Sequence, residues 1–309
     1  MSARELDAAG ITGASLRASY ERCRGLNAAH GKTYYLATLL LPARKRPYVH
    51  ALYGFARYAD EIVDSLDSHL SAREKAQWLE DWSKSFLKGE SDDEVLAAIH
   101  DTIARWQIPM AHFEAFLDSM RMDLEVTQYQ TFEDLMVYMY GSAAVIGLQM
   151  VSVLEPAKGL EQPAAGYAQD LGVAFQLANF IRDVGEDLRR GRIYLPIEDL
   201  EHFGVTREQL RQGVVDGKVR RLLQYEIART REIFRAAKPG VRLLHPTSRD
   251  CIEVATRLYS GILDEVERAD YRVLDRKVAV PLGKRLRVAV PGLVRARAAR
   301  TTPTSTASA

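Results

Sequence analysis

Two aspartate pairs constrain this chain more than any other feature. Residues 57–64 read RYADEIVD and residues 176–196 read QLANFIRDVGEDLRRGRIYLP. Asp60 and Asp64 are four residues apart, as are Asp183 and Asp187, and Asn179 stands four before Asp183. On an α-helix such positions share a face, about 6 Å apart along the axis. Like charges placed there oppose each other by a few tenths of a kcal/mol, and aspartate is a poor interior helix residue. The setting is apolar all the same: Ala59, Ile62 and Val63 interleave the first pair, and Ala178, Phe180, Ile181 and Val184 surround the second. A compensating cation is one resolution. Carboxylate oxygens suit hard cations, and Mg²⁺ is typically held by one or two carboxylates plus substrate phosphates, so two such faces across a cavity would form a metal–diphosphate clamp. Ion pairing is the other resolution, because Arg57 accompanies the first pair and Arg182, Arg189, Arg190 and Arg192 the second. Spacing alone does not separate them.

The rest of the chain reads as helices. Amphipathic patterns cover 15–27, 47–65, 71–88, 92–106, 109–122, 132–154, 162–188, 206–212, 218–237 and 248–269, punctuated by Pro42, Gly89, Pro109 and Gly191. Thr206 with Gln209 three residues on is a capping box. No strand–turn–strand pattern, fixed-period repeat or Gly-rich phosphate loop is present. The expected fold is all-α, a single domain around a central cavity. Residues 1–13 read as a flexible arm, 14–292 as the domain, and 293–309 as a basic, then disordered, tail. The small residues Gly141, Ser142, Ala143, Ala144 and Gly147 permit either close helix packing or space beside a cavity. His100–Asp101 resembles half of a metal-phosphohydrolase signature, but no matching upstream histidines accompany it.

Composition sets outer limits. At 309 residues, 47% hydrophobic and 27% charged, the chain has an ordinary globular make-up. A net charge of +1 makes no electrostatic case for nucleic acid. Cys23 and Cys251 lack metal-ligand spacing and fit a reducing compartment. The first residues lack the apolar core of a signal peptide, and the nearly apolar run 143–154 is too short to span a bilayer. A cytoplasmic protein is expected, with peripheral membrane contact compatible. The basic residues Lys284, Arg285, Arg287, Arg295, Arg297 and Arg300 suit a solvated helix face first and an anionic lipid surface second.

Six ordered blocks then carry a resemblance: HGKTYY at 30–35, RYADEIVD at 57–64, MRMDL at 120–124, YMYGSAAVIGLQM at 138–150, the stretch 176–196, and LYSGILDEVERADY at 258–271. Together they resemble the squalene/phytoene synthase family of head-to-head prenyl transferases, over about residues 30–284. The RDVGED…GRIYLP form is most similar to the bacterial and plant phytoene-producing branch. Relatives often carry Ser and Phe where this chain has Gly31 and Tyr34, and Ala-Gly where it has Ala143–Ala144. These differences touch the substrate channel and leave prenyl chain length open.

The resemblance implies an isoprenoid-synthase bundle that condenses two geranylgeranyl diphosphates through a cyclopropylcarbinyl diphosphate to phytoene, the first step of carotenoid biosynthesis. It implies Mg²⁺, or Mn²⁺, held by Asp60, Asp64, Asp183 and Asp187 with Asn179 assisting, and no NADPH. It places His30, Lys32, Thr33, Arg57, Gln176, Asn179, Arg182, Tyr194, Tyr259 and Arg276 at the substrate, and Tyr140 with Arg57 and the aspartates at the reaction centre. Three other readings stand beside it. A C15-using enzyme would make dehydrosqualene, squalene or presqualene diphosphate. A class I terpene cyclase would consume one substrate and leave the blocks at 30–35 and 190–196 unexplained. A noncatalytic lipid-binding or assembly relative would not need all four aspartates. A di-iron protein is disfavoured because no Glu-x-x-His pair exists.

Overall fold

The computed structural model describes residues 3–64, 70–90 and 93–301. Its helices are α1 (Ala3–Ala8), α2 (Ala14–His30), α3 (Lys32–Thr38), α4 (Arg46–Asp64), α5 (Ala72–Leu87), α6 (Leu96–Trp106) and α7 (Ala111–Glu125). There follow α8 (Phe132–Met139), a π turn (Tyr140–Ala144), α9 (Val145–Leu154) and α10 (Glu161–Arg189). The remainder are α11 (Ile197–His202), α12 (Arg207–Arg211), α13 (Gly217–Ala237), a 3₁₀ turn (Lys238–Leu243), α14 (Pro246–Arg268) and α15 (Leu282–Thr301). Among the described residues, β pairing is confined to the isolated bridges Gln128–Ile193 and Pro156–Leu244. The all-α expectation holds.

Local chemistry explains the element ends. Ser71 with Glu74, Thr131 with Asp134 and Thr206 with Gln209 form reciprocal capping boxes at the starts of α5, α8 and α12. Asp216 accepts from the amides of Lys218 and Val219 to start α13. Helix α10 is the axle, packing against α9, the π turn, α13 and α14. Its approach to the π turn and α9 depends on missing side chains. A Cβ on Gly147 would lie 2.0 Å from the Ala168 carbonyl oxygen, and one on Gly172 would lie 2.4 Å from that of Ala143.

Both termini of the domain depart from expectation. The arm over 1–13 is packed from Ala3 onward: Leu6 and Ile11 are buried, Tyr48 donates to the Ala9 carbonyl at 2.9 Å, and Arg46 pairs with Glu5 at 2.7 Å. Three apolar residues, Leu6, Ala9 and Ile11, find a hydrophobic cluster to bury in, which a mobile arm would forgo. The tail expected from residue 293 is helical through Thr301. Ala289, Gly292 and Ala296 give α15 a small-residue face that lies flat on α14, and Pro291 interrupts the helix without ending it. The disorder expected at the far end falls on 302–309, outside the described residues. The run Phe132–Leu154, taken whole, is long and apolar enough to cross a membrane, contrary to the shorter stretch judged from sequence. Two-thirds of its most apolar window is buried among other helices, 67%, so it serves as core.

The His100–Asp101 pair is structural. His100 Nε2 lies 2.9 Å from the Phe86 carbonyl, and Asp101 accepts from Tyr20. Deeper in the domain, Glu226 is 2% exposed beside Arg229 and Asp199. Burial pushes its carboxyl from 4.5 to about 8, against the pull of Arg229. The folded state therefore keeps a proton that the unfolded chain releases near pH 4.5, so this residue's contribution to stability declines as pH rises from there to about 8.

Two predictions follow from these contacts. Gly147→Ala is expected to cost about 1–3 kcal/mol through overpacking. Gly25→Ala, on an open face of α2 with nothing within 4 Å, is expected to gain roughly 0.5–1 kcal/mol; thermal melts of the two variants read the opposite signs. Glu226→Gln, which keeps the shape and removes the charge, is expected to raise Tm relative to the parent by more at pH 8 than at pH 5. Equal differences at both pH values would show that Glu226 ionises freely in the fold.

Candidate active site

A cavity of about 930 Å³ runs along α10, at the upper end of the roughly 300–1,000 Å³ usual for small-molecule sites. Helix α10 and its C-terminal turn line it from Ala164 to Arg190, about 39 Å at 1.5 Å per residue. The sequence along α10 changes character on the way. Ala164, Ala168, Leu171 and Phe175 make an apolar wall; Gln176, Asn179, Asp183 and Asp187 make a polar one. Ile146, Met150 and Leu154 extend the apolar wall from α9, and Leu52 and Val49 from α4. The i+4 spacings that marked both aspartate pairs in the sequence thus point both into one space.

Asp60 and Asp64 enter from α4, Asp183 and Asp187 from α10. Burial, then the neighbouring Asp64, raises the Asp60 carboxyl to about 6. Burial, then Asp183, raises Asp187 to about 8. Arginines supply the opposing charge. Arg57 Nη1 contacts Asp60 at 2.5 Å, and its Nε contacts Glu61 at 3.1 Å. Arg182 forms a two-pronged pair with the adjacent Asp183. Across the cavity, Arg190 and Arg192 both reach Asp64, at 2.8 and 2.5 Å. Ion pairing is therefore one resolution the fold uses, for Asp60, Asp64 and Asp183, yet burial and mutual repulsion still hold Asp60 and Asp187 above the ordinary aspartate range. Among the described residues, no three His, Cys, Asp or Glu side chains converge on one point in this arrangement.

The remaining expected residues divide. His30, Lys32, Thr33, Gln176, Asn179, Tyr194 and Tyr259 all line the cavity. His30 lies 3.5 Å from Glu61 at the rim. Tyr259 stacks on Phe175 with ring centroids 4.3 Å apart and faces Tyr34 at 5.0 Å. Two expectations do not hold. Tyr140 is 48% exposed and is not part of the cavity wall. The lining positions of this segment follow two adjacent rows, Tyr138, Ser142, Ile146 and Met150, and Ala143, Gly147, Val151 and Leu154, and Tyr140, two places from both Tyr138 and Ser142, falls off that face of the helix. Arg276 is exposed and donates to the Ala269 carbonyl at 2.8 Å, satisfying the C-terminus of α14. Its neighbour Lys277 faces the cavity instead and pairs with Glu186 at 2.9 Å.

Asp123 was not assigned a role from sequence, although it stands in the 120–124 block. It accepts from the hydroxyls of Tyr138 at 2.7 Å and Tyr194 at 3.0 Å, while Arg192 donates to its carbonyl at 3.0 Å. Burial raises its carboxyl to about 6, with the Tyr138 hydrogen bond opposing the shift. Tyr194 in turn stacks on Phe180 at 4.1 Å. An aspartate between Met122 and Leu124 on a helix that packs inward was the available signal. Gly31, one of the departures from the family pattern, is explained here: a Cβ on it would lie 2.7 Å from the Tyr53 ring.

The chain is similar to known proteins in both sequence and fold. The family model described as squalene/phytoene synthase matches residues 27–284. The 15-cis-phytoene synthase of Synechocystis sp. is 39% identical over 282 residues, covering 88% of this chain and 84% of the relative. The phytoene synthase of Arthrospira platensis is 37% identical, covering 90% and 94%. A dehydrosqualene synthase solved with a ligand superposes with a TM-score of 0.80 at 26% identity, covering 92% of this chain and 98% of that one. The chain belongs to the squalene/phytoene synthase family.

Proposed function

We propose that this chain is a phytoene synthase, a prenyltransferase that joins two geranylgeranyl diphosphates head to head. The observation that carries the reading is the cavity itself. An apolar chamber ends in Asp60 and Asp64 on one wall and Asp183 and Asp187 on the other, with arginines between them. The activity named for the cyanobacterial relatives supports the product assignment.

In the first half-reaction the C–O bond of one substrate breaks and diphosphate leaves with the electron pair. The double bond of the second substrate attacks the allylic cation, a carbon–carbon bond forms, and proton loss closes a cyclopropylcarbinyl diphosphate. Loss of the second diphosphate, rearrangement and loss of another proton give phytoene. The sequence is redox-neutral, which is why no NADPH is called for.

The donor set fits a hard divalent cation, because all four carboxylates offer oxygen, and burial followed by repulsion from the neighbouring aspartate raises two of them, a cost that a bound cation would offset. Mg²⁺, or Mn²⁺ in its place, would be held by Asp60, Asp64, Asp183 and Asp187 with Asn179, and would neutralise charge on the departing diphosphate. The chain's own groups do the rest. Arg57, Arg182 and Lys32 offer cationic donors to diphosphate oxygens at the polar end. His30 and Thr33 stand at the same rim. The apolar wall from Ala164 to Phe175 takes the prenyl chain and excludes water from the cation, each buried methylene contributing about 0.8 kcal/mol. Tyr138 and Tyr194 hold the Asp123 carboxylate, and Arg192 bridges the Asp123 main-chain carbonyl and Asp64.

A C15 reading keeps one specific support, the overlay with a dehydrosqualene synthase. Purified protein given Mg²⁺, detergent and either C15 or C20 allylic diphosphate separates the two. A C40 hydrocarbon from the C20 substrate is expected. A C30 hydrocarbon from the C15 substrate alone would move the assignment, and no coupled product from either would remove it.

Asp60→Ala and Asp183→Ala are expected to lower kcat by about 10²–10³ or more while circular dichroism stays at the parental level. Near-parental turnover in either variant would refute the clamp. Tyr138→Phe removes one of the hydroxyls on Asp123 and is expected to lower kcat/KM by roughly tenfold, the value of one such hydrogen bond. Tyr140→Phe is expected to leave it unchanged.

A further inference from the structure

Helix α15 is built with two unlike faces. Its inner face, Ala289, Gly292 and Ala296, is buried on α14. Its outer face carries Leu282, Leu286, Val290 and Val294, four residues apart and 63%, 45%, 55% and 64% exposed. Steps of four keep these side chains on one side of the helix. No other described helix leaves a comparable row of large apolar residues in water. A soluble face would alternate them with charges of both signs, but α15 contains no acidic residue. Its basic groups split by face. Lys284 and Arg295 are paired with α14, at 3.2 Å to Glu265 and 2.7 Å to Asp250, and Arg300 donates to the Leu40 carbonyl. Arg287 and Arg297 lie among the exposed apolar residues and have no acidic partner among the described residues.

Position supplies the third observation. Val278, Ala279 and Val280 line the cavity, as does Arg285 in the first turn of α15. The cavity wall therefore runs directly into the exposed row that begins at Leu282.

We propose that the outer face of α15 docks this protein on an anionic lipid bilayer, with Leu286, Val290 and Val294 entering the interface and Arg287 and Arg297 meeting lipid phosphates. An apolar stripe flanked by arginines on a surface helix has the composition of an interfacial helix. Placing the cavity wall beside the bilayer would give a water-insoluble hydrocarbon a short path into it. That purpose rests on the proposed reaction, but the docking itself does not, and vesicle binding and product formation are measured apart.

The test is flotation of the full chain with vesicles of phosphatidylcholine alone or with phosphatidylglycerol added, at low and high salt. The parent is expected to float with the anionic vesicles and to be released by salt. The Arg287→Gln/Arg297→Gln pair is expected to bind about fivefold more weakly for each arginine removed. The Leu286→Ser/Val290→Ser/Val294→Ser variant is expected to lose flotation while keeping the parental melt and its turnover in detergent. The Trp78→Ser variant, exposed on α5, controls for a general loss of apolar surface and is expected to float as the parent does. Parental flotation by the triple serine variant would overturn the proposal. So would equal binding of the parent to neutral and anionic vesicles, or a dimer in solution that the triple serine variant dissolves, which would assign the face to a second copy.

Discussion

Four carboxylates directed into one apolar-walled space are the constraint on which the rest of this protein depends. Burying such charges is expensive unless each is paired. The fold answers with arginines drawn from near each pair and from across the cavity. Arg57 and Arg182 serve their own helices, while Arg190 and Arg192 leave the end of α10 to reach Asp64 on α4. These last two ion pairs tie together segments separated by more than a hundred residues, and they hold the two aspartate faces opposite each other. In the proposed reaction Arg57 and Arg182 would also meet the diphosphate, so two of the arginines that pair with the aspartates would double as anion donors.

Along the apolar wall the helices are brought close by missing side chains. Gly147 and Gly172 let the π turn and α9 meet α10 at backbone distance, and Gly141 does the same against α7, where a Cβ would lie 2.1 Å from the Ala115 carbonyl. Close approach on one side leaves room on the other. The segment that supplies Gly141 and Gly147 also supplies Ser142, Ala143 and Ile146 to the cavity wall. The two explanations of its small residues, tight packing and free space, are thus both correct, for different positions of one helix.

The protein's length is used unevenly around this chamber. The N-terminal turn Ala3–Ala8 closes on α4 through Leu6 and the Glu5–Arg46 pair. The last helix covers α14 with its small face and turns its large apolar side chains outward. One end of the chain thus completes the core, and the other presents a surface that the core does not need.

Periodicity alone was enough to identify most of the helices, though not α1 or α15, together with the all-α class and the two aspartate faces, because i to i+4 spacing and apolar patterning are local properties of the chain. The ordered blocks at 30–35, 57–64 and 176–196 were enough for the family. Which side a helix turns to the cavity was not legible: Tyr140 and Tyr138 are both plausible tyrosines in YMYGSAA, and only packing against α7 and α10 sets Tyr138 inward. Asp123 carried no distinguishing neighbours along the chain, since its partners Tyr138 and Tyr194 come from 15 and 71 residues away. Arg276 and Lys277 are adjacent basic residues in a loop, and the carbonyl of Ala269 claims one while Glu186 claims the other. The chain by itself thus determined which chemistry is available and on which helices it lies. Only the tertiary structure decided which groups meet, because contacts between distant segments depend on helix rotation and close approach, and neither is written in local spacing.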